Sequence, residues 1–159
     1  GNSDLMMFTR NGQGIRFPED EVRSTGRASQ GVRGIRIKDG DEVVGAAIAD
    51  EGDDVLLVTS GGFGKRTRLT DFPVKHRGGL GVKAIKIVST RGTLVTARAV
   101  VDSDEVVITS SDGIVIRQAV NNINRYGRNS MGVKVMNLAE GASLSALAVA
   151  ARNEDIPDE

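Results

Sequence analysis

The chain has 159 residues, 39% hydrophobic and 26% charged, and its 21 basic and 21 acidic side chains balance to zero net charge. This is the composition of a soluble globular domain, or a piece of a larger repetitive one, and it excludes a disordered chain. No apolar run approaches a membrane span, no signal-peptide pattern opens the chain, and the lack of cysteine excludes disulfides and thiolate metal sites, which suits a reducing cytoplasm.

Gly1, Asn2 and Ser3 read as a cloning remnant, and the first apolar run, Leu5 to Phe8, follows Asp4. The chain then turns on Gly12 and emerges at Arg16. About ten residues later comes GRASQGVR, residues 26 to 33, whose two glycines have the spacing of a phosphate-binding loop. That loop needs Lys and then Ser or Thr directly after the second glycine. Here Val32 and Arg33 stand there, so both positions for phosphate chemistry are wrong. Val32, Ile35 and Ile37 have the spacing of one strand face, Asp39-Gly40-Asp41 makes a turn, and Val43–Ile48 reads as a further strand.

The same series begins again at Asp54. A run from Val55 to Val58 precedes Gly62 and Arg66, and HRGGLGVK follows at 76 to 83. Val82, Ile85 and Ile87 repeat the strand spacing, and Leu94–Val100 closes the unit after Gly92. A third series opens at Asp104, with Val106 to Ile108, Gly113, Arg117 and GRNSMGVK at 127 to 134. Its last segment, residues 142–152 (ASLSALAVAAR), contains good helix formers. Its register with Val43–Ile48 and Leu94–Val100 predicts a strand instead. The expected units are 4–53, 54–103 and 104–151, before an acidic tail at 152–159. An element occurring three times is architecture rather than a nucleotide pocket.

Four short strands per fifty-residue unit predict an all-β, propeller-like array of about three four-stranded blades. Three blades cannot close an ordinary ring, so the array is an open arc or half of a longer one. Unpaired edge strands at its ends would invite pairing with another copy of the chain.

Charge is segregated along the chain. Between Gly61 and Ile87 lie Lys65, Arg66, Arg68, Lys75, Arg77, Lys83 and Lys86 against a single Asp71. Between Lys38 and Asp54 one lysine faces seven acids. The acid clusters Asp50–Asp54 and Asp102–Glu105 do not match a calcium loop and read as solvated turns. His76, the only histidine, stands where the other units have Gly26 and Gly127, and Tyr126 aligns with Thr25 and Lys75 in a variable loop. Neither belongs to a catalytic constellation, so no catalysis, metal or cofactor is expected of this chain.

With GFGKRTRLTDFPVKHRGGLGVKAIKI, GRASQGVRGIRIKDGDEVVGAAI and GRNSMGVKVMNL, the chain resembles the C-terminal domain of the DNA gyrase A subunit over residues 4 to 150. The resemblance implies a β-pinwheel, a propeller relative of about six blades whose neighbours exchange strands, of which these three are the C-terminal half. It further implies a non-catalytic module that binds duplex DNA around a basic outer rim and wraps it, in support of ATP-dependent negative supercoiling. The partners it implies are double-stranded DNA and the remaining parts of the gyrase A and B subunits, with no membrane. The family's wrapping box, Q-R-R-G-G-K-G, has only a distant counterpart in His76-Arg77-Gly78-Gly79-Leu80-Gly81. With that departure, the resemblance implies DNA binding by this segment without the full wrap.

On this reading the expected phosphate contacts are first Lys65, Arg66, Arg68, Lys75, Arg77 and Lys83. Arg16, Arg27, Arg33, Arg117, Arg125, Arg128 and Lys134 come second. Arg and Lys neutralise phosphates without reading sequence, and the arginine fork binds phosphate bidentately. For Arg27, Arg77 and Arg128 a second role stands open, which is locking each blade by pairing with a repeated acid. Gly31, Gly81 and Gly132 suit backbone sterics better than phosphate contact. The related domain of topoisomerase IV and a protein-interaction propeller are the competing readings.

Overall fold

The computed structural model describes residues 4–18, 40–75 and 81–150. Glycine turns fold each apolar run back on the strand after it. Thus β1 (Asp4–Thr9) pairs with β2 (Gln13–Pro18), β4 (Asp54–Thr59) with β5 (Phe63–Arg68) and β8 (Glu105–Ser110) with β9 (Val115–Ala119), all antiparallel. A third strand flanks the first of each hairpin: β3 (Val43–Ile48), β7 (Leu94–Val100) and β11 (Leu144–Ala150). The helix-prone last segment is therefore a strand. Antiparallel pairing with β8 overrides its local propensity, as tertiary packing commonly does.

The fourth strand comes from the next unit. β6 (Val82–Lys83) of the second unit pairs with β2 of the first, and β10 (Val133–Lys134) of the third pairs with β5 of the second. The sheet orders are β3-β1-β2-β6, β10-β5-β4-β7 and β11-β8-β9. Units thus exchange strands, and among the described residues β9 is an edge without the partner that β2 and β5 have. Val82, Ile85 and Ile87 do not form the one strand expected of them. Pairing stops at Lys83, and Ala84 and Ile85 turn into the core between the sheets. The equivalent expectation for Val32, Ile35 and Ile37 lies outside the described residues.

Period-two alternation explains how the units stack. β4 is buried at all six positions because it is packed on both faces. Val55 and Leu57 join Met6, Phe8, Phe72, Ile85 and Leu94 between the first and second sheets. Leu56 and Val58 join Val106, Ile108, Ile123 and Met136 between the second and third. Phe8 meets Phe72 edge to face at 5.7 Å, joining the first unit to the second. Edge strands β3 and β7 pack together, as do β7 and β11. These edges form the inner side of the array, and β6 and β10 stand at the opposite, outer edge.

Glycine is required where the exchanged segments dock. Gly62 has φ +88°, its carbonyl accepts from the Val135 and Met136 amides, and an added Cβ would lie 2.5 Å from the Met136 carbonyl oxygen. Gly113 has the same backbone at φ +92°, but an added Cβ would meet nothing within 4 Å. We predict that Gly113→Ala costs only the left-handed backbone penalty, about 1–2 kcal/mol. Gly62→Ala adds displacement of the docked segment and costs roughly 3 kcal/mol or more. Urea unfolding followed by circular dichroism measures both. Equal losses would show that the docked segment does not press on Gly62.

Candidate nucleic-acid interface

The repeated hairpin carries an arginine at the same place on its second strand, at Arg16, Arg66 and Arg117. Antiparallel register places these opposite Met6, Leu56 and Val107. The acid two residues before each of those, Asp4, Asp54 or Glu105, is a diagonal cross-strand neighbour within reach of a long side chain. Arg16 Nε meets Asp4 at 2.7 Å, Arg66 meets Asp54 at 3.2 Å and Arg117 meets Glu105 at 2.7 Å. In the third unit the pairing acid is Glu105, not the aligned Asp104, whose carboxylate accepts from the Val101 amide instead. Locking by a repeated arginine and acid therefore exists among the described residues at Arg16, Arg66 and Arg117.

These arginines also reach the following unit. Arg16 donates to the Leu69 carbonyl at 2.9 Å, and Arg66 Nε donates to the Ile123 carbonyl at 2.6 Å. The Lys75 amide bonds the Arg16 carbonyl, and the Tyr126 amide bonds the Arg66 carbonyl. Arg117 has no such contact among the described residues, and its side chain is 66% exposed.

Asp54 is the centre of the joint between the second and third units. It is fully buried and accepts from Arg66 and from both ends of the Arg125 fork, Nε at 3.0 Å and Nη2 at 2.7 Å. Asp102 meets the same Arg66 at 2.5 Å. Hydrogen bonding to Asp54, with the nearby carboxylate charge, raises Arg125 further above its ordinary pKa. Asp54 is thus no solvated turn. The signal that could have found it is the twelve-residue spacing from Asp4 to Arg16, Asp54 to Arg66 and Glu105 to Arg117.

This geometry corrects the expected contacts. Lys65 and Arg66, placed among the first, are buried, so neither presents its charge to solvent. Lys65 donates to the Gly127 and Arg128 carbonyls at 2.6 and 3.2 Å, and burial followed by repulsion from Arg128 lowers its pKa to about 8. Arg16 and Arg125 are engaged by carboxylates. Arg128 is half-buried and pairs with no acid in the described structure. Its guanidinium instead ties the third unit to the second through the Asp71 and Lys83 carbonyls at 2.9 and 3.0 Å. Arg27, Arg33 and Arg77, with His76, lie outside the described residues.

Four expected contacts remain exposed with no carboxylate paired to them among the described residues: Arg68, Lys75, Lys83 and Lys134. Lys83 and Lys134 occupy the same place on successive exchanged strands, at the outer edge of their sheets. Arg68 ends β5 and lines an open depression together with Asp53, Asp54, Thr70 and Arg125. Gly132, at φ +83°, shapes the backbone entering β10, in keeping with the steric role expected of it.

The family described as DNA gyrase C-terminal domain, beta-propeller, matches residues 3–50, 53–100 and 104–151. The DNA gyrase A protein of Deinococcus deserti is 44% identical over 157 residues, covering 95% of this chain and 19% of that protein. Its Staphylococcus aureus counterpart is 38% identical over 161 residues, covering 100% of this chain and 18% of that protein. This chain therefore spans less than a fifth of the length of these relatives. A solved DNA gyrase A C-terminal domain superposes with TM-score 0.80 at 22% identity, covering 94% of this chain and 51% of that one. The C-terminal domain of DNA topoisomerase IV gives 0.81 at 21% identity, with 96% and 48% covered, a likeness of fold. Three matched segments on three strand-exchanging units place this chain in the DNA gyrase C-terminal domain family.

Proposed function

We propose that this chain is a duplex-DNA-binding and wrapping segment of the gyrase A protein, acting in the cytoplasm with the rest of that protein and with gyrase B. In this reading the segment is not itself catalytic. It bends DNA along its outer edge and so supports ATP-dependent negative supercoiling by the whole enzyme. The observation that carries the reading is the recurrence of an exposed lysine, Lys83 and then Lys134, on consecutive rim strands. Arg68 and Lys75 extend the cationic surface, and Arg117 and Arg128 share their charge with it. Arg27, Arg33 and Arg77 keep their place as candidates.

Such a rim neutralises phosphates of a duplex carrying one charge per ~1.7 Å of axis and reads no bases. Bending 20–30 bp by 40–90° costs on the order of 1–6 kcal/mol, which several charge contacts offset at low salt. For a 40-bp random duplex, six contacts give a fall in affinity of about 10³ between 50 and 200 mM salt. Fluorescence anisotropy across a salt series measures it. Flat or absent binding at 50 mM would favour a protein-interaction module instead.

A further inference from the structure

Among the described residues Lys65 is the only fully buried lysine, and its charge has no carboxylate within hydrogen-bonding distance. The sheet does not demand a cation at this position. The equivalent residues are Ile15 in the first unit, itself buried, and Ile116 in the third. What Lys65 does bind is the repeated element of the next unit: its ammonium crosses from β5 to the carbonyls of Gly127 and Arg128. At the far end of that element, Gly132 packs so closely that an added Cβ would come 3.1 Å from the Lys65 Cβ. The segment from 127 to 134 carries Arg128 at its start and Lys134 at its end, the latter on the exchanged strand β10. Leu57 lies opposite Lys65 on β4, Asp71 follows β5 in the turn, and Tyr126, Arg128 and Lys83 belong to the segments joined there. Of these, Arg128 repels the ammonium and Asp71 attracts it.

We propose that Lys65 is a positioning residue for DNA: it fastens the segment from Gly127 to Lys134 against β5 so that Arg128 and Lys134 face the duplex, and it sets a buried positive charge behind them. The proposal rests on the DNA-binding reading. Its consequence is a pH dependence that surface lysines, titrating near 10.4, cannot supply. Burial and Arg128 hold Lys65 near 8, so its charge is present at neutral pH and lost on mild alkalinisation. Stability moves the other way. Between pH 8 and about 10.4 the unfolded chain binds more protons at this lysine than the folded one does, so folding stability rises as DNA affinity falls.

The test measures affinity for a 40-bp duplex at constant ionic strength between pH 6.5 and 9.5, with thermal unfolding at each pH. Wild-type affinity should fall about three- to tenfold through pH 8, up to the weight of roughly one phosphate contact at 0.1 M salt. Lys65→Ile, which installs the residue of the other units, should bind at the lower level and be flat across this range. Lys65→Met provides the same test with a longer side chain should the isoleucine fail to fold. Every other group is shared by the two proteins, so the difference between their profiles isolates Lys65. A flat wild-type profile, or the same profile in the variants, overturns the positioning role. No binding by any of the proteins at any pH overturns the DNA-binding reading itself.

Discussion

Asp54→Ala should destabilise the fold by about 3–5 kcal/mol, the cost of removing one partner from a buried ionic network. The carboxylate is fully buried and receives three hydrogen bonds, from Arg66 and from both ends of Arg125. Without it, two guanidiniums share the joint between the second and third units, and the exposed Asp102 is the one carboxylate left within ion-pair distance of them among the described residues. Asp54→Asn preserves the shape but not the charge and should fall in the same direction. Arg117→Ala tests the contrast, because the same motif in the third unit is solvated, and pairs of that kind contribute about 0–1 kcal/mol. The chain has no tryptophan and one tyrosine, so far-UV circular dichroism in urea is the suitable probe. Equal midpoints for Asp54→Ala and wild type would refute the claim that this carboxylate holds the units together.

Replacing Arg68, Lys75, Lys83 and Lys134 together by alanine should leave stability almost unchanged and remove most DNA affinity. These side chains are exposed, and surface substitutions of this kind usually stay within about 0.5 kcal/mol each. Each phosphate contact contributes about 0.9 to the slope of log affinity against log salt, so four lost contacts flatten it by roughly 3.6. At 0.1 M salt that corresponds to a loss of about 4 × 10³ in affinity. Anisotropy on the 40-bp duplex reads both quantities. An unchanged slope in a folded variant would move the interface away from this rim, toward the basic positions outside the described residues. The pair of predictions separates two kinds of arginine: neutralising a rim charge should spare the fold, whereas removing the partner of a joint arginine should not.

Those two kinds are hard to tell apart in the sequence. Arg66 and Arg68 sit two residues apart on one strand, in a block with a single acid, and look equally available. Arg66 is buried because the third unit brings Ile123 and Arg125 against it, from more than fifty residues further along. The exchanged strands are equally obscure, since a two-residue strand such as Val82–Lys83 has no periodicity of its own. Its partner, β2, lies about seventy residues earlier in the chain.

The amino-acid sequence by itself determined the three hairpins and the glycine turns at Gly12, Gly62 and Gly113, whereas the strand at the helix-prone last segment was legible only from its register with the other two units. These depend on side-chain alternation and backbone conformations acting over a few residues, repeated at a constant interval. Only the tertiary structure decided which basic side chains face solvent. Burial at Lys65 and Arg66 arises where one unit closes over the next, and Arg125 is drawn there to the buried Asp54 carboxylate. Desolvation there ties each charge to a carbonyl or a carboxylate, while the same residue types at the rim remain exposed.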